Sequence, residues 1–427
     1  LQKYKVLIVM DDINYEYLGI MYISKILKNA GNIIKLHLLK DPIENILEFK
    51  PDFVLYSLIT GDHQKFIEFN KKLKELINFT SIFGGPHPTY FTDMINIKGV
   101  DYILRGEGEL SILDILKKPK ERIIIGKLPE NLDDIPFPDR DLLYHITKHK
   151  NNPIRHFISS RGCPYNCSYC YNSIWRKIYK NKKTVRYRSP ENVIKEILEV
   201  ISKYYTKLIY FQDDCFDANK EWLYKFLDLY KKNLNLPFHC IIRLDILDDK
   251  TAKKLSEAGC ISVRCAAESG NDYLRNKILH RNMSKESIYT GTKLLKKYKI
   301  GFVLQNMIGL PESNLKRDME TLFVNIKCRP TLGWCSIFQP YPMTEIGKSF
   351  ILDVDTFKPS FYEESIIDIP HKKEVKKLQK IFGTITKYPF LYIFTPILIK
   401  LPLDKIYKKL WIYNNNRADK ILYGGII

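Results

Sequence analysis

Cysteine is missing from the first 162 residues of this 427-residue chain; all nine thiols lie from Cys163 onward. The N-terminal third can therefore hold neither a disulfide framework nor a thiolate metal site of its own. Long apolar runs are missing as well. The longest, FLYIFTPILI (Phe390–Ile399), lies between Lys387 and Lys400 and contains Pro396. It is about half the length needed to cross a bilayer. No charged segment with an apolar core opens the chain, because LQKYKVLIVM reads as a buried strand. A cytoplasmic protein with reduced thiols is the expectation. Acidic residues are the minority, since 68 Lys and Arg against 48 Asp and Glu give a formal charge of +20. The lysines are scattered over helix faces and form no stripe interleaved with aromatics, so nucleic acid is not the expected partner. With 45% hydrophobic and 27% charged residues the chain is globular, and its length asks for more than one domain.

Residues 1–126 alternate short apolar strands with amphipathic helices. YKVLIVM, IIKLHLL, DFVLYSLI, TSIFGG and VDYILRGEG read as strands. LGIMYISKILKNAG, PIENILEFK, HQKFIEFNKKLKELI and ELSILDILKK read as helices between or after them. This pattern predicts a doubly wound, Rossmann-like sheet, which binds ligands outside the carboxyl ends of its strands. The loops there are DDINYEYLG, SLITGDHQ, GGPHPTY and RGEGE. They are rich in glycine and small polar residues, so backbone N–H groups can approach a large ligand.

Pro129, Pro136 and Pro138 break the pattern and mark an extended linker over 127–152, packed against something. A second series follows over 153–345. Its strands are IRHFISSRGC, KLIYFQDD, FHCIIRL, ISVRCAAES, GFVLQNMIGLP and LGWCSIFQPYP. Ser189-Pro190 supplies N-cap and first-turn residues for the helix ENVIKEILEVISKYY. Functional-looking residues at successive strand ends suggest a partial (β/α)6 barrel with its site on the C-terminal face.

At the end of the first of these strands stands SSRGCPYNCSYC, with Cys163, Cys167 and Cys170 spaced C-x3-C-x2-C. Three thiolates on one loop can hold three corners of a [4Fe–4S] cluster and leave the fourth iron open to a small molecule. A zinc site with a distant fourth ligand, or three structural cysteines, would use the same residues. The other six thiols have no paired spacing and read as core.

These residues resemble the radical S-adenosylmethionine (SAM) superfamily, and Tyr169 just before Cys170 fits its pattern. The resemblance implies that the methionyl amine and carboxylate chelate the open iron and that one-electron reduction cleaves SAM to a 5′-deoxyadenosyl radical. It also suggests SAM-binding residues: Asp213 and Asp214 of FQDD for the amine, and Glu268 and Ser269 of AAESGN for the ribose and methionyl carboxylate region. Ile308, Gly309 and Glu312 of MIGLPES would meet the adenine, and Arg243 and Arg281 a carboxylate.

The loops ahead of the barrel narrow the resemblance to the cobalamin-binding members, whose layout fits residues 4–345. It places cobalamin at the strand ends of the first domain, near Tyr17, Leu18, Thr60, Gly61, His63, Gln64, Gly84, Gly85, His87, Gly106, Glu107 and Gly108. The Asp-x-His-x-x-Gly segment that supplies an axial histidine in other cobalamin proteins is absent, so cobalamin is expected base-off without a protein histidine on cobalt. His63 and His87 are the only alternatives in the loops.

The resemblance implies a methyltransferase acting on an unactivated carbon. One SAM would methylate cobalamin and a second would generate the radical, with ferredoxin or flavodoxin as electron donor. The runner-up keeps cobalamin but forms or contracts a ring without methyl transfer. A non-catalytic sensor ranks lower, and a tRNA methylthiotransferase would need a second cysteine set in the first domain. The substrate, a small molecule or a lipid, is not legible. Residues 346–427 are expected to be helical and basic. Trp411, Tyr407 and Phe390 fit either an anionic membrane surface, making the protein peripheral on the cytoplasmic membrane, or packing across the barrel mouth. Packing is the favoured expectation.

Overall fold

The computed structural model describes residues 2–11, 16–145, 148–180, 182–350 and 365–425. Asp12–Tyr15 of the first expected ligand loop lie outside the described residues. Residues up to 152 form one compact unit and those from 153 onward a second.

In the first unit, Lys5–Met10 (β1), Ile33–Leu38 (β2), Phe53–Ser57 (β3), Thr80–Gly84 (β4), Tyr102–Arg105 (β5) and Ile123–Ile125 (β6) form one sheet. It is parallel throughout, in the order β2-β1-β3-β4-β5-β6. Val6 to Val9 are wholly buried, as a strand covered on both faces requires. The helices are Leu18–Asn29 (α1), Glu44–Phe49 (α2), His63–Leu76 (α3), Pro86–Tyr90 (α4) and Ile112–Ile115 (α5). The expected helix ELSILDILKK thus shrinks to one turn, and β6 joins the sheet without having been expected.

The expected linker is folded onto this unit. It contains a 3-10 turn at Leu132–Asp134 and a short helix, Asp141–Tyr144 (α6). Arg140 pairs with Glu16 at 2.7 Å, both buried, and Tyr144 Oη donates to the same carboxylate at 2.8 Å. Ser24 Oγ on α1 donates to Asp139 at 2.6 Å.

The second unit is built on Ile154–Phe157 (β7), a short antiparallel pair Ser160–Arg161 (β8) and Arg186–Tyr187 (β9), and five further strands. These are Leu208–Phe211 (β10), Phe238–Ile241 (β11), Cys260–Glu268 (β12), Gly301–Ile308 (β13) and Leu332–Ile337 (β14). Their parallel order β14-β13-β12-β11-β10-β7 is the unbroken succession of a partial barrel. Between them run Tyr171–Ile178 (α7), Pro190–Lys203 (α8), Lys220–Asn233 (α9), Asp249–Glu257 (α10), Lys285–Lys297 (α11) and Leu315–Cys328 (α12). Ser189 caps α8 by accepting from Asn192 N–H at 3.2 Å, with Pro190 in the first turn. Alternation decides the faces. Ile209, Phe211, Cys240, Ile242, Val263, Cys265, Phe302 and Leu304 meet the helices in one core, and their neighbours point to the opposite, concave side.

Lys372–Lys387 (α13), Thr395–Leu398 (α14) and Asp404–Leu422 (α15) follow. Val375, Leu378, Ile381, Phe382 and Ile385 of α13 pack with Ile308, Cys335 and Ile337, covering the edge strand β14. The end of α15 closes the opposite end of the barrel from the expected mouth. Ala418 and Leu422 pack on Val303 and Leu332, and Tyr423 on Ile154 and Leu208, all near the first residues of their strands. Ser262 Oγ donates to Leu422 O at 2.6 Å.

Candidate active site

The cysteine loop leaves β8 through Gly162. This residue has φ +80°, and a Cβ there would lie 2.6 Å from Thr184 O; only glycine fits. Cys167 is buried, while Cys163 and Cys170 are half-buried. Burial raises the Cys163 thiol and pushes Cys170 up to about 12. These two thiols are therefore protonated when free and would release protons on binding iron. Among the described residues no three His, Cys, Asp or Glu side chains are gathered to hold a single metal ion. Cluster thiolates each hold a different iron and need no common centre.

Four neighbours fix the loop. Arg176 on α7 donates to Cys163 O, to Tyr165 O at 2.8 Å and to Asn166 Oδ1 at 2.9 Å. The Arg243 guanidinium stacks 3.6 Å from the centre of the Tyr165 ring. Ser168 donates through N–H to Leu279 O at 3.1 Å and through Oγ to Ile278 O at 2.6 Å, where a single π-helical turn, Leu274–Ile278, ends. Tyr169 Oη donates to Glu268 Oε1 at 2.7 Å.

The strand ends bring some of the expected residues to this loop and turn others away. Asp213 shares a face with Ile209 and Phe211 and is wholly buried. It accepts from Ser159 N–H at 3.1 Å, Ser159 Oγ at 2.6 Å and Ser160 Oγ at 2.5 Å, so its carboxylate ties β10 to the base of the cysteine loop. Asp214 shares the other face with Tyr210 and Gln212. Its negative charge acts on Cys163 and Cys170, and Asn172 hydrogen-bonds its side chain. Solvent reaches it, although protein encloses it on the remaining sides and raises its pKa.

Arg243 forms a two-pronged pair with Asp245, at 2.9 and 2.8 Å. Its N–H is held by Asp217 at 3.1 Å, a buried carboxyl pushed up to about 6 by its burial. Arg281 places Nη1 3.8 Å from Cys167 Sγ and donates from Nη2 to Ala266 O at 3.2 Å. Glu268 sits at φ +62°, beyond an irregularity in the β12–β13 register. Such strain in a non-glycine residue gathers at functional sites.

Ser269 is buried and accepts from Asn271 N–H at 3.2 Å, and Ile308 belongs to the core under α13. Gly309 donates its N–H to both oxygens of Asp318 at 3.3 Å. Burial pushes Asp318 up to about 7. Glu312 is exposed at φ +60° and accepts from Tyr273 Oη at 2.7 Å. Sequence reasoning missed Arg176, Asn172, Asp217 and Asp318. For the first two, the overlooked signal is a helix opening directly at Cys170.

In the first unit, the expected residues cluster at the carboxyl edge of the sheet. A hollow lined by Met10, Asp11, Tyr17, Ser57, Ile59, Asp62 and Phe66 opens between β1 and β3, where the strand order reverses. Tyr17 borders it, and Leu18 is buried at the start of α1. Gly85 has φ +89°, and a Cβ there would meet Leu58 N and Ser57 Oγ at 2.9 Å. Thr60 Oγ1 and His87 Nδ1 are hydrogen-bonded at 3.1 Å, and Gly61 N–H donates to His63 Nδ1 at 3.3 Å. The His63 and His87 rings stack 4.0 Å apart, each 2% exposed. Burial, with His63 beside it, pushes His87 down to about 3; it is a neutral ring engaged with Thr60. Gln64 lies in the first turn of α3 and Gly84 ends β4. Gly106 donates to Thr89 Oγ1 at 3.0 Å, and Glu107 and Gly108 are buried beside it.

Comparison with known proteins places these two sites in a class. Residues 157–323 match the radical SAM superfamily and residues 5–116 the B12 binding domain. The chain belongs to the cobalamin-binding radical SAM enzymes. It is 27% identical over 383 residues to an uncharacterized methyltransferase of Pyrococcus horikoshii, covering 83% of this chain and 82% of that protein. It is 22% identical to the anaerobic magnesium-protoporphyrin IX monomethyl ester cyclase of Cereibacter sphaeroides, over 82% of this chain and 61% of the cyclase. Its fold matches that of the radical SAM methyltransferase TsrM from Kitasatospora setae, solved with cobalamin and a [4Fe-4S] cluster bound. That match has a TM-score of 0.65 at 14% identity, and spans 80% of this chain and 76% of TsrM.

Proposed function

We propose that the protein is a cobalamin-dependent radical SAM methyltransferase acting on an unactivated carbon. The observation that carries this reading is a three-thiolate loop held by its neighbours and flanked by two arginines that each keep one buried N–H unpaired, in a chain that also has a B12-binding domain. Arg243 Nη1 and Arg281 Nε are buried without a hydrogen-bond partner, while their other nitrogens grip the loop and its surroundings. Such donors suit an anionic cluster carrying a carboxylate ligand.

In this reading Cys163, Cys167 and Cys170 hold three irons and leave the fourth for SAM. When bound, the cluster supplies one-electron reduction, SAM the methyl group and the hydrogen-abstracting fragment, and cobalamin a cobalt that carries methyl. Asp214 would accept a charge-assisted hydrogen bond from the N–H of the methionyl amine; Asp213 supports the loop beneath it. Arg243 or Arg281 donates to the methionyl carboxylate, Glu268 with Tyr169 orients the ribose, and Gly309, held by Asp318, lines the adenine position. Ser269 and Ile308 act as packing behind these groups, and Glu312 borders the opening. Tyr17, Thr60, Gly61, Gln64, Gly84, Gly85, Gly106, Glu107 and Gly108 line the cobalamin face, with Leu18, His63 and His87 supporting it from within. His63 and His87 stack on each other and hydrogen-bond within their own loop, so neither would be presented to cobalt. A low-potential donor such as ferredoxin or flavodoxin delivers the electron. Among the described residues no helix is long and apolar enough to cross a membrane.

Similarity to the cyclase favours a second reading, oxidative ring formation with the same cofactors and no methyl transfer. Product analysis separates the two. Reconstituted, reduced protein that methylates converts SAM to both S-adenosylhomocysteine and 5′-deoxyadenosine. The deoxynucleoside without S-adenosylhomocysteine would leave the cyclase reading, and neither product would remove both.

A further inference from the structure

We infer that the segment after α13 is a docking surface for an anionic membrane. Phe390, Ile393, Phe394, Ile397 and Leu401 are 66, 73, 49, 61 and 37% exposed. They recur at i, i+3, i+4, i+7 and i+11, one face of the helical turns Pro389–Phe394 and α14. The opposite face is already used. Thr395 and Ile399 are buried, and Leu391, Tyr392 and Leu398 pack against the core beneath α13. Folding has therefore placed an apolar stripe where an ordinary surface helix turns polar side chains to water.

Charge names the occupant. Lys387 precedes the stripe, Lys400 stands beside its last residue, and Lys405, Lys408 and Lys409 follow at the start of α15, with Asp404 the only acid from 387 to 409. Among the described residues, Lys400, Lys405, Lys408 and Lys409 are exposed and form no ion pair. Apolar side chains ringed by lysine match the acyl–headgroup boundary of a bilayer containing anionic lipid. A second copy of the chain would bring the same lysines and meet like charge. Tyr407 is not part of this surface, because it is buried and donates to Leu398 O at 2.7 Å. Trp411 is half-buried, with Lys380 over its ring.

Flotation of the full-length protein with phosphatidylcholine vesicles, with and without phosphatidylglycerol, tests this. Binding is expected only to the anionic vesicles and should fade as salt is added. The double variant Ile393→Asp, Ile397→Asp should bind at least about tenfold more weakly, from the loss of two inserted apolar side chains. A second variant, Lys400→Glu with Lys408→Glu, alters only exposed side chains and should weaken binding with an unchanged melting temperature. Absence of flotation, or equal binding to both vesicles at all salt concentrations, overturns the inference. So does a lipid-free dimer that Ile393→Asp dissolves, which would assign the stripe to a second copy.

Discussion

Adjacent carboxylates, Asp213 and Asp214, have opposite fates because a strand alternates its side chains. The signal was in the sequence: Ile209, Phe211 and Asp213 share one parity, and the apolar pair marks it as the helix-facing side. Reading FQDD as two equivalent candidates overlooked that rule. The same alternation puts Arg243, Arg264 and Glu268 on the concave side. Cys163, Cys167 and Cys170 were legible from spacing alone, since no packing argument was needed to see them. Replacing any one by Ala should remove the iron of the reconstituted protein and the cluster's share of its visible absorption. Cys335→Ser, in the core beneath α13, should leave iron content unchanged.

Asp318 gives a residue-scale test with a definite sign. Its folded pKa, about 7, lies above the ordinary 3.8, so the folded state holds a proton that the unfolded state has released. Stability from this group is complete below the unfolded value and is lost as pH rises towards 7. The loss is on the order of a few kcal/mol. Thermal melts across this window should show a steeper decline for the wild type than for Asp318→Asn. Asp217, raised for the same cause, contributes the same sign to both proteins and cancels in the comparison. Parallel slopes would mean that Asp318 is already ionised.

At the scale of elements, helices with explicit caps were legible and short pieces were not. Ser189-Pro190 opens α8 as its residues dictate, and Ser189→Ala should cost about 1 kcal/mol in a denaturant titration. By contrast, β6 is three isoleucines at a sheet edge, two of them exposed, and too short to show a period. The helix α7 mixes polar and aromatic residues directly after Cys170, where attention falls on the thiols. Its Arg176 was therefore lost with it. Ile346, Phe350 and Ile367 pack with Tyr169, Leu279 and Leu310 at the barrel mouth as expected, but the cover at the opposite end was beyond sequence, because it depends on contacts between residues far apart in the chain. Tyr423 is buried with Ile154 and Leu208, and its Oη accepts from Arg264 Nη2 at 3.2 Å. Tyr423→Ala should destabilise the second unit by about 3 kcal/mol, read by denaturant unfolding.

For the whole molecule, the fold class followed from periodicity, because strand–helix alternation leaves few architectures. Each unit carries its own set of candidate ligand groups: thiolates and carboxylates from residue 153 onward, glycine-rich strand ends and the stacked His63 and His87 rings before it. Loss of the cluster should therefore leave cobalamin binding in place. The triple variant Cys163→Ala, Cys167→Ala, Cys170→Ala should bind no iron yet retain hydroxocobalamin, as read by its visible spectrum after desalting.

Whether one chain holds both cofactors is decided by metal analysis after anaerobic reconstitution with iron, sulfide and hydroxocobalamin. About four irons and one cobalt per chain are predicted, as a single [4Fe–4S] cluster requires, with a base-off cobalamin spectrum. Iron without cobalt would contradict the methyl-transfer account and leave a plain radical SAM enzyme. Zinc in place of iron would contradict the radical chemistry itself.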